Sequence, residues 1–148
     1  MSLKEELYEL CVDFVDSRLS TIQQTIESNQ KALTSETKSS AGDKHETGRA
    51  MLQLEMEKAG QQLQDVQKMK ETLVKINLKE TEVISLGSLV ETNLGTYFIS
   101  ISAGQLLIEN RTYFAISTSS PIGKLLLGKK EGQSLVWNGR KINIHSVS

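Results

Sequence analysis

Asp43 and Glu46, three residues apart in the stretch SSAGDKHETGRAM at 39–51, are the side chains of this sequence best suited to chemistry. Two carboxylates in the first turn of a helix can share a divalent cation, because Mg²⁺ takes oxygen ligands and keeps several of its waters. Two acids alone do not make a tight site, so such an ion would need further ligands from a partner. The spacing also has a structural use. Asp is a good N-cap, Glu three residues on matches the capping-box interval, and both charges favour the positive end of a helix. On residue types and spacing alone the capping use leads. His45 between them reads first as an exposed residue, with proton transfer or metal ligation as its chemical alternative.

The elements that must position these acids are helical on both sides. From Leu3 to about Leu33 there is no Pro or Gly, and Leu3, Leu7, Leu10 and Phe14 recur at helical steps. Val15, Leu19, Ile22, Ile26 and Leu33 continue the stripe after a one-residue slip, with Cys11 beside it and expected to be buried rather than reactive. In the second run Leu52, Met56, Ala59, Leu63, Val66 and Leu73 keep heptad spacing, with Met69 and Ile76 flanking and Met51 as further seam filler. Two narrow stripes joined by a short Ser, Thr and Gly-rich connection predict an antiparallel helical hairpin over 1–78. Its tip falls near 39–48, at the end of helices roughly 45 Å long.

Past residue 79 the period changes. EVISLGSLVET, GTYFISIS, GQLLIE and TYFAIST read as strands, and SLVWNGRKINIHSV reads as a hairpin about a type I′ Asn138-Gly139 turn. That turn sets Leu135 opposite Ile142 with Trp137 on their face, and His145 toward solvent. SSPIGKLLLGKKEG predicts a short helix with Ser120 as N-cap, Pro121 at the first position and Gly128 as the stop, packing Ile122, Leu125 and Leu126 onto the sheet. Tyr97, Phe98, Tyr113, Phe114 and Trp137 are expected in the core. The chain is thus expected to be α+β: a long antiparallel coiled-coil hairpin, then a small β-rich domain over 79–148.

Composition excludes several functions. The net charge is −1, and the first 80 residues hold 11 Lys and Arg against 14 Asp and Glu, which argues against bulk electrostatic binding of nucleic acid. A single cysteine gives no internal disulfide, and no apolar run approaches the roughly 20 residues of a membrane span, so a cytoplasmic protein without a membrane partner is expected. No P-loop, zinc-ligand spacing or nucleophile motif occurs elsewhere.

Gly42, Asp43 and Glu46, together with Ile116, Ser117, Ser120, Pro121, Ile122, Gly123, Lys124, Leu126, Leu127, Gly128, Lys129 and Gly132, carry a resemblance spanning nearly the whole chain. In these positions the sequence resembles the Gre transcript-cleavage factors of bacterial RNA polymerase. Lys44 and His45 stand between the acids where that family has a variable residue and Ser, and Thr47-Gly48-Arg49 replaces its usual Asn-Ala-Glu. The resemblance implies an FKBP-like second domain without isomerase activity and a monomer that docks at the polymerase secondary channel through the region of Ser119, Ser120, Pro121 and Ile122. It implies further that Asp43 and Glu46 hold Mg²⁺ jointly with the polymerase, so that the backtracked RNA 3′ end is cut by the polymerase's own nuclease activity. No cofactor is then bound by the chain alone. Two other readings stay open: a channel-occupying regulator of the same fold without cleavage, and a coiled-coil interaction protein unrelated to transcription. An independent hydrolase is disfavoured, because an exposed tip has no walls to exclude water.

Overall fold

Helical spacing without an internal Pro produces two long helices in the computed structural model, α1 at Leu3–Lys38 and α2 at Asp43–Lys75. The structure describes residues 1–38 and 43–148, with the side chains of 36–38 and 43–46 outside that description. Four strands follow, β1 at Leu89–Thr92, β2 at Thr96–Ser100, β3 at Gly104–Ile108 and β4 at Arg111–Ser117. The short α3 at Pro121–Leu126 comes next, then β5 at Ser134–Trp137 and β6 at Arg140–Val147. The architecture is α+β, a helical hairpin followed by one sheet in the order β3-β4-β2-β1-β6-β5. Two compact units result: Val15–Lys68, and Met1–Phe14 together with Met69–Ser148.

In the first unit the hairpin seam buries Val15, Ile22 and Asn29 of α1 and Ala59 and Val66 of α2, each pair of successive residues a heptad apart. Leu19, Ile26 and Leu33 lie half-buried beside them, as do Leu52, Met56 and Leu63 on α2. Met51 is 60% exposed, so it is not the seam filler its spacing suggested. Asn29 is a polar member of this seam, and its Nδ2 is buried without a hydrogen-bond partner among the described residues.

The second unit gathers the start of α1, the end of α2 and the sheet. Here α1 buries Lys4, Leu7 and Cys11, while Leu10 and Phe14 stay half-buried. The expected slip between Phe14 and Val15 is therefore absent. Four-residue steps from Leu7 through Cys11 keep one face inward, and the thiol, small enough to pack closely, takes the place assigned to Leu10. Cys11 Sγ lies 3.7 Å from Ser100 Oγ, and burial pushes its thiol pKa up, with the Ser100 hydrogen bond opposing. The Tyr8 hydroxyl donates to the Leu73 carbonyl at 3.1 Å, tying the two helices.

Alternation along the strands gives the sheet two different faces. One carries Phe98, Ser100, Leu106, Tyr113 and Ala115, all buried. The other forms a core of Ile84, Val90, Tyr97, Ile99, Ile122, Leu126, Leu135, Ile142 and Ile144, with Phe114 and Trp137 packed against it. The aromatic residues thus enter the core as expected. Leu135 pairs with Ile142 across the turn, where Asn138 and Gly139 both have positive φ, 50° and 74°. A second two-residue turn of this kind joins β3 to β4 through Glu109 and Asn110, at φ 49° and 65°, without any glycine to announce it. β2 and β4 are parallel, and β1 sits between β2 and β6. A bulge on β6 leaves exposed His145 unpaired, since Glu91 faces Ser146 and Thr92 faces Ile144. The stretch before β1 is not the strand its composition suggested. It makes one isolated bridge, Val83 to Lys130, and then a turn in which Ser88 N–H donates to the Ser85 carbonyl.

Lys4 ties the segment after α2 to this unit, its Nζ donating to the Lys79 carbonyl at 3.1 Å and to that of Leu78 at 3.5 Å. Burial holds its pKa below 10.5, with Glu80 opposing. A lysine depressed in the folded state penalises folding fully below its folded pKa, and the penalty fades as pH rises from there toward 10.5. The stability of the wild type relative to Lys4→Gln is expected to improve in urea titrations as pH rises toward 10.5. A gap that stays constant over that range would show a fully hydrated ammonium.

Candidate functional site

The hairpin places Asp43 as the first residue of α2, with Glu46 in the same first turn. Lys44 and His45 lie between them. The side chains of all four, and with them the capping and metal geometries expected there, lie outside the described residues. Beyond them Thr47 and Arg49 are exposed on α2, and on α1 Lys31 pairs with Glu27 at 3.3 Å across one helical turn. Among the described residues no three His, Cys, Asp or Glu side chains gather as a metal site. Two hard carboxylate donors fit part of a Mg²⁺ shell, and the remaining oxygens must come from elsewhere.

The second expected site is the turn leading into α3. Ser120 caps the helix as its sequence predicts: at φ −68° and ψ 154° its Oγ accepts from Gly123 N–H at 3.1 Å and donates to the Ser117 carbonyl at 2.7 Å. Ser119 Oγ lies 3.1 Å from Ser117 Oγ. Of the four residues expected to meet a partner, Ser119 and Pro121 are exposed, Ser120 is half-buried and engaged as the cap, and Ile122 is buried in the core. The apolar surface offered instead is that of Leu125 and Leu127, 40% and 36% exposed. Leu125 was expected to pack on the sheet. A six-residue helix buries one narrow face, and Ile122, Gly123 and Leu126 occupy it. The exit from α3 is fixed by Gly128 N–H donating to the Ile84 carbonyl and Ile84 N–H to that of Lys129. This holds Val83, itself 39% exposed, in register with Lys130. Pro121, Lys124, Leu125, Leu127 and Lys130 are each exposed.

A third feature was not singled out from sequence. A cleft of about 330 Å³ lies over the sheet, lined by Leu3, Glu91, Thr96, Arg111, Tyr113 and Ser146 among others. These residues come from α1, β1, β2, β4 and β6, so no local motif could have marked them.

No protein-family model matches the chain, and a search of curated proteins finds no match to it. Among the described residues no helix is long and apolar enough to cross a membrane.

Proposed function

We propose that this protein is a transcription factor of the Gre type, entering the secondary channel of bacterial RNA polymerase and stimulating cleavage of backtracked RNA. The observation that carries the reading is the placement of Asp43 and Glu46 in the first turn of a 33-residue helix paired with one of 36 residues. Helices of that length run about 50 Å. In this reading Asp43 and Glu46 supply oxygens to a Mg²⁺ whose other ligands belong to the polymerase, and help orient the attacking water. The catalytic turnover is the polymerase's. The sheet unit, read as FKBP-like, serves as the anchor. Ser119, Pro121, Leu125 and Leu127 form its docking face, with Ser120 and Ile122 setting the shape of that face.

The test is RNA shortening in a stalled, backtracked elongation complex built with the cognate polymerase. Asp43→Asn/Glu46→Gln keeps a competent helix cap while removing both charges. The wild type is expected to shorten the RNA and the variant to do so about 100-fold more slowly or worse, since even outer-shell metal partners cost up to about that much. Binding without shortening by either protein makes it a channel-occupying regulator. Failure of both to bind the polymerase removes transcription from the reading altogether.

A further inference from the structure

The cleft over the sheet contains polar groups that the fold does not use. Glu91 faces Thr96 across β1 and β2, and Tyr97 faces Phe114 across β2 and β4, so Thr96 lies beside Tyr113. Arg111 is two residues from Tyr113 on the same face. Strand spacing puts the Cα atoms of Glu91 and Arg111 about 12 Å apart, with Thr96 and Tyr113 between them. The two long side chains therefore bracket the floor from opposite sides. They form no ion pair with each other, and the Arg111 guanidinium has no ionic or hydrogen-bond partner among the described residues.

Tyr113 supplies an independent observation. Its side chain is 94% buried, being 6% exposed, yet its hydroxyl has no protein partner among the described residues. The one buried side-chain atom left wholly sealed and unpaired among them is Asn29 Nδ2, so the Tyr113 hydroxyl keeps access to the cleft. A buried tyrosine ordinarily finds a partner for its hydroxyl. Ser146 Oγ donates to Glu91 Oε2 at 3.4 Å, a long contact that orients the carboxylate and leaves its second oxygen available. The cleft thus offers a guanidinium and a phenol at one side, a carboxylate at the other and the hydroxyl of Thr96 between them. Its volume is in the range of small-molecule sites.

A simple anion would satisfy Arg111 and be repelled by Glu91, and a simple amine would meet the reverse. We propose that this cleft binds a small zwitterion of amino-acid size, its carboxylate on Arg111 and the Tyr113 hydroxyl and its ammonium on Glu91. Arg matches a carboxylate through two parallel N–H donors, which fixes the ligand's direction in the cleft.

The probes are glycine, γ-aminobutyrate, acetate and methylammonium, titrated into the isotope-labelled full chain to about 20 mM, a range suited to millimolar affinity. At least one zwitterion is expected to give saturable shifts at the amides of Thr96, Thr112 and Tyr113, binding about tenfold more tightly than acetate or methylammonium. Glycine and γ-aminobutyrate differ in the separation of their charges, so their order reports the distance the cleft spans. Arg111→Gln and Glu91→Gln, both at exposed side chains, are each expected to abolish that preference without changing the melting temperature. Absence of saturable shifts from either zwitterion overturns the proposal. So does acetate binding as tightly as the best zwitterion, or binding that survives Arg111→Gln unchanged. None of these outcomes depends on RNA polymerase, so they are distinguishable from failure of the transcription reading.

Discussion

Phe98→Ala is expected to destabilise the sheet unit by about 3–5 kcal/mol, the range for truncating a large aromatic side chain in a packed core. Phe98 is fully buried on β2, with Leu89 of β1 and Ala115 of β4 beside it in register. Ala115 is already small, so the strand neighbour cannot fill the space, and the cavity term adds to the lost transfer free energy. Phe114 provides the comparison. It is half-buried, its ring tilted 36° against Tyr97 at 5.8 Å, and Phe114→Leu should cost less than half as much. Urea unfolding followed by tryptophan fluorescence measures both, because Trp137 is the single tryptophan and packs against the core of the same unit. A loss below about 1 kcal/mol for Phe98→Ala would mean that the helices and sheet collapse onto the gap, contrary to the close packing described.

Gly87→Ala is expected to cost about 2–5 kcal/mol, from two separable causes. At φ +97° an alanine is strained by about 1–2 kcal/mol. Its Cβ would also fall on the backbone carbonyl oxygen of Asn77, forcing a shift of the kind that costs about 1–3 kcal/mol. Neither side can yield readily: Gly87 N–H donates to the Ile99 carbonyl at 2.7 Å, and Asn77 Oδ1 accepts from Lys79 N–H at 3.0 Å in the segment held by Lys4. Gly139→Ala isolates the first cause, since φ there is +74° with no atom within 4 Å of the added Cβ. The two variants should differ by the steric part alone. Equal losses in thermal unfolding would show that the segment after α2 moves away freely.

What could be read from the sequence follows from how local each determinant is. The Asn138-Gly139 hairpin and the Ser120-Pro121 start of α3 depend on a handful of adjacent residues, and both stand as their chemistry dictates. The hairpin seam was legible where heptads are regular, at Ala59, Val66 and Leu73. It was misread around Leu10 and Phe14, because hydrophobicity alone favours Leu over Cys, whereas burial follows the angular position of Cys11. Leu125 was misassigned for the same reason: three consecutive leucines do not say which of them faces inward. Sheet order, the parallel pairing of β2 with β4 and the central place of β1 are set by contacts between distant residues. The cleft lies at that level too, for Glu91, Tyr113 and Arg111 meet only once the strands are aligned. Asp43 and Glu46 are legible as a spacing at the start of α2.

The place of β1 between β2 and β6 has a bearing on synthesis. Val15–Lys68 is continuous in sequence, so the hairpin can complete itself before any strand has been made. The sheet cannot, because Val90 must wait for Val147, and closing so long a loop is slow. Until β6 arrives, β1 presents an open edge capable of pairing with another nascent chain. A ribosome-bound chain interrupted before residue 140 should therefore show nearly full helix content while being prone to aggregate. The final eight-residue strand governs whether the growing polypeptide stays single, long after its helices have formed.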